Sequence, residues 1–178
     1  MKTPHAGRAR QALRQATIDN HQRVDDLFSC FSLTDRDSYI AFLKAHARAL
    51  AALEAMTEAQ APRLPLLTQD LVALGESLPP PLATPGCEGD AFRWGVRYTM
   101  EGSRLGGAVL ARRVAPDLPH AYLSAAHEKG GWIAFQHSLD NAAEQGGEPW
   151  IEEAIRGAEA AFDLFAAAAG SEKISVHG

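Results

Sequence analysis

The sequence predicts an all-α fold, and three observations carry that prediction. Alanine and leucine recur at helical spacing, β-branched residues are sparse, and no stretch alternates apolar and polar residues with period two. At 178 residues the chain is long enough to bury a sizeable core, and no linker divides it. Residues 1–178 are therefore read as one domain, with 1–5 and 171–178 expected to be mobile tails.

The first helix is read from Ala6 to Phe28, with Ala9, Leu13, Ala16, Asn20, Val24 and Leu27 as its buried stripe. Thr34-Asp35-Arg36-Asp37 supplies an N-cap with acidic residues in the first turn. It opens a second helix through Tyr39, Ile40, Leu43, Leu50, Leu53 and Met56 that ends before Pro62. A shorter third helix begins at Pro65 and stops near Gly75. Prolines at 79, 80 and 81 and the glycines up to Gly89 mark the longest irregular connection, a loop within the domain. A fourth helix is expected from Ala91 to Arg113, a fifth is built on Ala125, Trp132, Phe135 and Leu139, and Gly146-Gly147 breaks the chain again. The last helix starts at Glu148-Pro149, where proline in the first turn and Glu152 and Glu153 suit a helix N-terminus. Its inward face is Ile151, Ile155, Ala158, Phe162 and Phe165.

Composition removes several function classes. A formal charge of −5 gives no reason to expect nucleic acid as a partner. No apolar run approaches transmembrane length, and the basic start is followed by no continuous apolar segment, so the expected setting is the cytoplasm, off the membrane. Cys30 and Cys87 form neither a C-x-x-C pair nor a disulfide framework. No Glu-x-x-His pair occurs, which rules against a di-iron bundle. His5, His46, His120, His127 and His177 lack metal-site spacing and are read as structural or solvated.

The fourth helix carries the most informative anomaly. Gly102-Ser103-Arg104-Leu105-Gly106-Gly107 lies in its middle, and each glycine costs a helix about 1 kcal/mol relative to alanine. At about 100° per residue, Gly95, Gly102 and Gly106 share a stripe with Thr99 beside them, so one face carries almost no side chain. Trp94, Tyr98, Leu105 and Val109 run alongside as an apolar stripe. A large, flat, largely apolar visitor fits that surface.

On the first helix, His21 sits at the edge of the buried stripe. Thr17, Arg14 and Arg10 precede it along that edge, and Phe28 follows two turns on. An imidazole with a guanidinium about two turns away suits a ligand with a metal at its centre and carboxylates at its rim. Heme is such a ligand, with imidazole on its iron and arginine forks on its propionates. His21 and the bare glycine stripe then fit opposite faces of one plate.

With both features placed, the chain resembles the bacterial heme oxygenases, the biliverdin-producing family that includes those encoded beside bacterial phytochromes. Leu13-Arg14-Gln15-Ala16-Thr17-Ile18-Asp19-Asn20-His21 is similar to the family's L-(R/K)-x-A-T-x-x-x-H, and Tyr39-Ile40-Ala41-Phe42-Leu43 to the start of its second helix. Arg63-Leu64-Pro65-Leu66-Leu67-Thr68-Gln69-Asp70-Leu71-Val72-Ala73-Leu74-Gly75 resembles R-x-P-L-L-x-x-D-L-x-x-L-G. Tyr98 to Gly107 resembles the distal helix Y-x-x-E-G-S-x-L-G-G. Trp132-x-x-Phe135-x-x-x-Leu139 and Ala158-x-x-x-Phe162 also match.

The resemblance implies that His21 is the proximal ligand and Arg14 a propionate contact. Arg10, Thr17, Phe28, Tyr98 and Leu105 complete the expected heme site. Gly102, Ser103, Gly106 and Gly107 form the distal wall where O2 reacts. Heme would be both cofactor and substrate, opened at a meso carbon to release carbon monoxide, ferrous iron and a biliverdin. Electrons would come from outside, since no flavin or nicotinamide fingerprint is present; a ferredoxin or separate reductase is the implied donor, and a bacterial phytochrome a candidate consumer of the biliverdin. Mammalian-type members carry a distal aspartate where Ser103 stands, which leaves the proton route open, with Arg97, Tyr98 and Arg104 as candidate organisers. Lys129 is a candidate second propionate contact, and His137 is expected to be exposed. Two other readings stay open: a non-catalytic heme carrier or sensor on the same fold, and a thiaminase-like helical enzyme, for which neither cysteine is well placed.

Overall fold

The structure is a computed structural model that describes residues 7–59, 61–86 and 89–177, the last four of these as backbone alone. The described residues form six helices and no strand. Residues 1–5, the expected helix start at Ala6, and Cys87 lie outside the described residues. The helices are α1 (Arg8–Phe28), α2 (Arg36–Thr57), α3 (Leu64–Ala73), α4 (Asp90–Ala111), α5 (Gly131–Ala143) and α6 (Gly147–His177).

Helix α6 is the axis of the bundle, with α4, α1 and α2 packed around it. Its crossing with α4 is backbone on backbone. A Cβ on Gly95 would lie 1.8 Å from the Ala154 carbonyl oxygen, and one on Gly157 would lie 2.0 Å from that of Phe92. Thr99 seals the crossing by donating its hydroxyl to the Ala158 carbonyl at 3.2 Å. Gly95 therefore serves helix packing, which corrects its placement on a ligand-facing stripe.

The stripe of α1 is also rotated from the expected one. Ala9, Leu13 and Thr17 are buried, whereas Ala16 is exposed and Asn20 only half-buried. Thr17 enters the interior because its hydroxyl donates to the Leu13 carbonyl at 2.7 Å, leaving only its methyl group to be packed.

Helix α2 begins where the sequence predicts, with the Asp35 carboxylate accepting from the Ser38 N–H at 2.9 Å. Helix α3 has no cap of its own. Instead, the buried Glu54 carboxylate on α2 accepts from the Arg63 and Leu64 N–H groups at 2.7 and 3.2 Å. Asp70 on α3 in turn accepts from the N–H groups of Ala121 and Tyr122 at 3.0 and 2.9 Å. This pins the connection after α4, so Ala125 lies in irregular chain and α5 starts only at Gly131, later than expected.

The expected tail from Ser171 is instead a continuation of α6 to His177. Glu172 is only 4% exposed and accepts from Arg48 Nε on α2 at 2.6 Å. The same arginine donates to the Pro80 carbonyl and its own carbonyl takes the Leu82 N–H, so one residue of α2 holds both the proline loop and the end of α6.

Candidate active site

Helices α1 and α4 stand on either side of a cavity of about 1300 Å³, larger than the ~300–1,000 Å³ usual for small-molecule sites. The residues expected to form the heme site and its distal wall all line it: His21, Arg14, Arg10, Thr17, Phe28, Tyr98 and Leu105, together with Gly102, Ser103, Gly106 and Gly107. Their environments differ, and the differences decide what each can do.

His21 projects from α1 with its side chain 64% exposed. Its Nδ1 lies 3.1 Å from the Asp25 carboxylate one turn on, and its ring meets Phe162 edge-on at 5.9 Å. That arrangement orients the imidazole and leaves Nε2 without a partner among the described residues. The i+4 spacing of Asp25 from His21 is legible in the sequence.

On the α4 side, a Cβ at Gly102 or Gly106 would meet nothing within 4 Å, so these two positions border open cavity. Gly107 differs: a Cβ there would lie 3.1 Å from the Leu123 carbonyl oxygen, so its bareness admits backbone as well as bordering the cavity. The apolar stripe divides similarly. Leu105 and Val109, with Ile18 opposite on α1, are exposed large side chains that line the cavity, whereas Trp94 packs against Phe135 outside it.

At the end of the cavity near the start of α1, Arg14 is exposed and makes no ion pair with any described residue. Its charge acts on Tyr98, whose hydroxyl is pushed up chiefly by burial, with Arg14 opposing the shift. Arg10 is less free, since its Nε lies 3.1 Å from the Asp140 carboxylate on α5. Lys129 and His137 are exposed and do not line the cavity. Arg97 donates to the Thr57 carbonyl at 3.2 Å and lies over Trp94. Arg104 donates to the Ala61 carbonyl at 2.5 Å and pairs with Glu101. Both arginines are thus occupied with helix packing.

The inner wall holds a pair that the sequence reading missed. His46, read as merely structural or solvated, is buried, lines the cavity, and has Nδ1 2.6 Å from the Tyr122 hydroxyl. Burial, helped by the nearby Arg63 charge, pushes its pKa down to about 3. Burial raises that of Tyr122, with Arg63 and a side-chain hydrogen bond from Ser103 opposing. The pair therefore stays neutral, with one proton on the imidazole and one on the phenol, adjoining Ser103 of the glycine helix. Tyr122 is seated by Asp70 below it and by Arg63, whose guanidinium lies 5.0 Å from its ring centre. No periodic signal could have exposed this, because Tyr122 lies in irregular chain.

Stability should carry the mark of His46. The unfolded chain takes up a proton at this residue near its ordinary pKa of 6.5, while the folded protein does not until about pH 3. Stability is thus fully present above pH 6.5 and falls by up to about 1.4 kcal/mol per unit as the pH drops between those values. Urea unfolding at pH 7 and pH 5 checks this, with His46→Gln expected to show the shallower dependence. Equal slopes in the two proteins would contradict it.

The residues present fit a flat, metal-bearing, carboxylate-edged macrocycle. An accessible imidazole shares the cavity with a strip of bare backbone, apolar side chains flank the space, and an arginine without an ion pair among the described residues stands at one end. No protein-family model matches the sequence. A heme oxygenase of Xanthomonas campestris pv. campestris (strain 8004) is 34% identical over 152 residues, covering 74% of this chain and 88% of that protein. The chain belongs to the heme oxygenases. Its fold agrees: the crystal structure of the NO- and CO-bound heme oxygenase from Neisseria meningitidis superposes with a TM-score of 0.77 at 26% identity, covering 92% of this chain and 90% of that one. Ser103 on the bare helix and the His46–Tyr122 pair line the same cavity. Among the described residues no helix is long and apolar enough to cross a membrane.

Proposed function

We propose that this heme oxygenase binds heme between α1 and α4 and, with O2 and electrons supplied by another protein, opens it to a biliverdin, carbon monoxide and ferrous iron. The observation that carries this reading is the accessible His21 imidazole sharing one cavity with open backbone at Gly102 and Gly106. Bound heme supplies both the iron at which oxygen reacts and the ring that is oxidised.

The rest falls to the chain's own side chains. His21 Nε2 would hold the iron, and Asp25, whose carboxylate lies 3.1 Å from Nδ1, would fix the tautomer and raise the basicity of the donor nitrogen. Arg14 and the Tyr98 hydroxyl would bind the propionates. Gly102 and Gly106 leave clearance for a diatomic ligand and for water. Ser103, Tyr122 and His46 are the neutral donors and acceptors that order that water, in place of a distal carboxylate. A ferredoxin or separate reductase delivers the electrons in the cytoplasm, and a bacterial phytochrome is a fitting acceptor for the biliverdin.

Hemin added to the purified protein should give a Soret band that bleaches under air with ascorbate, as biliverdin absorption grows. A Soret band that persists through this treatment would identify a carrier and overturn the catalytic reading.

A further inference from the structure

Helix α5 closes one side of the cavity and is lightly held. It contributes Trp132 and Gln136 to the lining, and most of its other surface faces solvent, with Ile133 59% exposed. Only Leu139 and Ala143 are buried, in a small cluster with Ala9, Leu13 and Ile151 that is separate from the main core. Towards α4 its contacts are rings: Trp132 lies 5.9 Å from Tyr98, and Phe135 lies 5.9 Å from Trp94.

Glycine pairs bound the helix at both ends. Gly130 and Gly147 have φ of 79° and 62°, in the left-handed region that favours glycine, and each adjoins a second glycine. Among the described residues, Asp140 alone makes a polar tie from α5 to another helix. Its carboxylate accepts from the Arg10 backbone N–H at 3.2 Å and lies 3.1 Å from Arg10 Nε. It thus meets one N–H at the positive dipole end of α1 as well as the guanidinium.

We propose that α5 is a gate over the cavity, hinged at Gly130–Gly131 and Gly146–Gly147 and latched by Asp140 on Arg10. Of the cavity's walls, one held by two apolar side chains, a short ring ladder and one charged tie is the natural one to swing aside. Arg10 itself lines the cavity, and its five N–H donors exceed what Asp140 uses. A carboxylate on the bound ligand can share that guanidinium, so that occupancy favours the closed position. The second half of this inference rests on the heme reading, whereas the latch does not.

The test is Asp140→Asn, with Asp140→Glu as the charge-restoring variant. Amide hydrogen exchange in the ligand-free proteins should speed roughly fivefold over residues 131–143 in Asp140→Asn, with α2 and α3 unchanged, and return towards wild type in Asp140→Glu. Heme transfer from the loaded protein to excess apomyoglobin should accelerate by a similar factor, with the Soret position unmoved. Unchanged exchange over 131–143, acceleration spread into α2 and α3, or an unaltered transfer rate would each overturn the gate. Exchange is read without heme, so a wild-type protein that takes up no hemin would sink the functional reading while exchange still decides the latch.

Discussion

His21→Ala is expected to remove the Soret signature of histidine-ligated heme and to lower heme turnover roughly 100-fold or more, since loss even of a ligand's supporting partner commonly costs ~10–100-fold. The fold should be indifferent to the change. His21 is 64% exposed and outside both apolar clusters, so unfolding midpoints should stay within about 0.5 kcal/mol of wild type. That separation of stability from ligation is what makes the variant informative. Asp25→Asn keeps the ring and its reach but replaces a charged acceptor at Nδ1 by a neutral one. It should retain a Soret band and lose about tenfold in rate, with a raised reduction potential because the axial nitrogen donates less strongly. Added imidazole should restore part of the His21→Ala spectrum by filling the position the side chain left. An absorption spectrum unchanged by His21→Ala would remove this residue from the iron.

The parts of the molecule that were legible in the sequence share a property: they are local and periodic. Helices α1, α2, α3 and α6 repeat apolar residues at helical spacing, and the Asp35 cap and Gly75 stop are single-residue signals. What escaped depends on pairs distant in the chain. Glu172 is tied to Arg48, so polar residues that read as a loose tail become helix, and Asp70 draws Ala121 and Tyr122 inward, delaying α5 past Ala125. The burial of Thr17 escaped for another reason, since a hydroxyl bonded to its own helix packs as an apolar group. At the site, His21 and the glycines were visible because helix geometry alone sets their faces. His46 was not, because a histidine on the buried face of α2 gives no sign in sequence that its ring meets a tyrosine brought from residue 122.

Gly106→Leu and Gly95→Ala, two changes on the same helix, should act with opposite signs. Periodicity places both glycines on one stripe, yet Gly106 borders open cavity while Gly95 abuts the Ala154 carbonyl, where even a methyl group would stand 1.8 Å from the oxygen. Leucine at 106 relieves a helix of a glycine, a gain just under ~1 kcal/mol, or about 2–4 °C in the melting temperature of the ligand-free protein. The same side chain fills the clearance above the heme plane, so turnover should fall tenfold or more by analogy with the ~1 Å misplacements that cost catalytic steps 10²-fold. Alanine at 95 gains helix propensity too, but α4 and α6 must part to admit it, at a cost of about 1–3 kcal/mol. Its melting temperature should drop while the folded fraction cleaves heme at close to the wild-type rate. Melting curves with and without hemin, beside single-turnover rates, read both signs at once. A Gly106→Leu protein that degrades heme as wild type does would show that the bare helix is no clearance for oxygen. A Gly95→Ala protein of unchanged stability would show that the crossing with α6 needs no glycine. Selection for close packing and selection for empty space leave the same letter in the sequence, and only the response to an added side chain tells them apart.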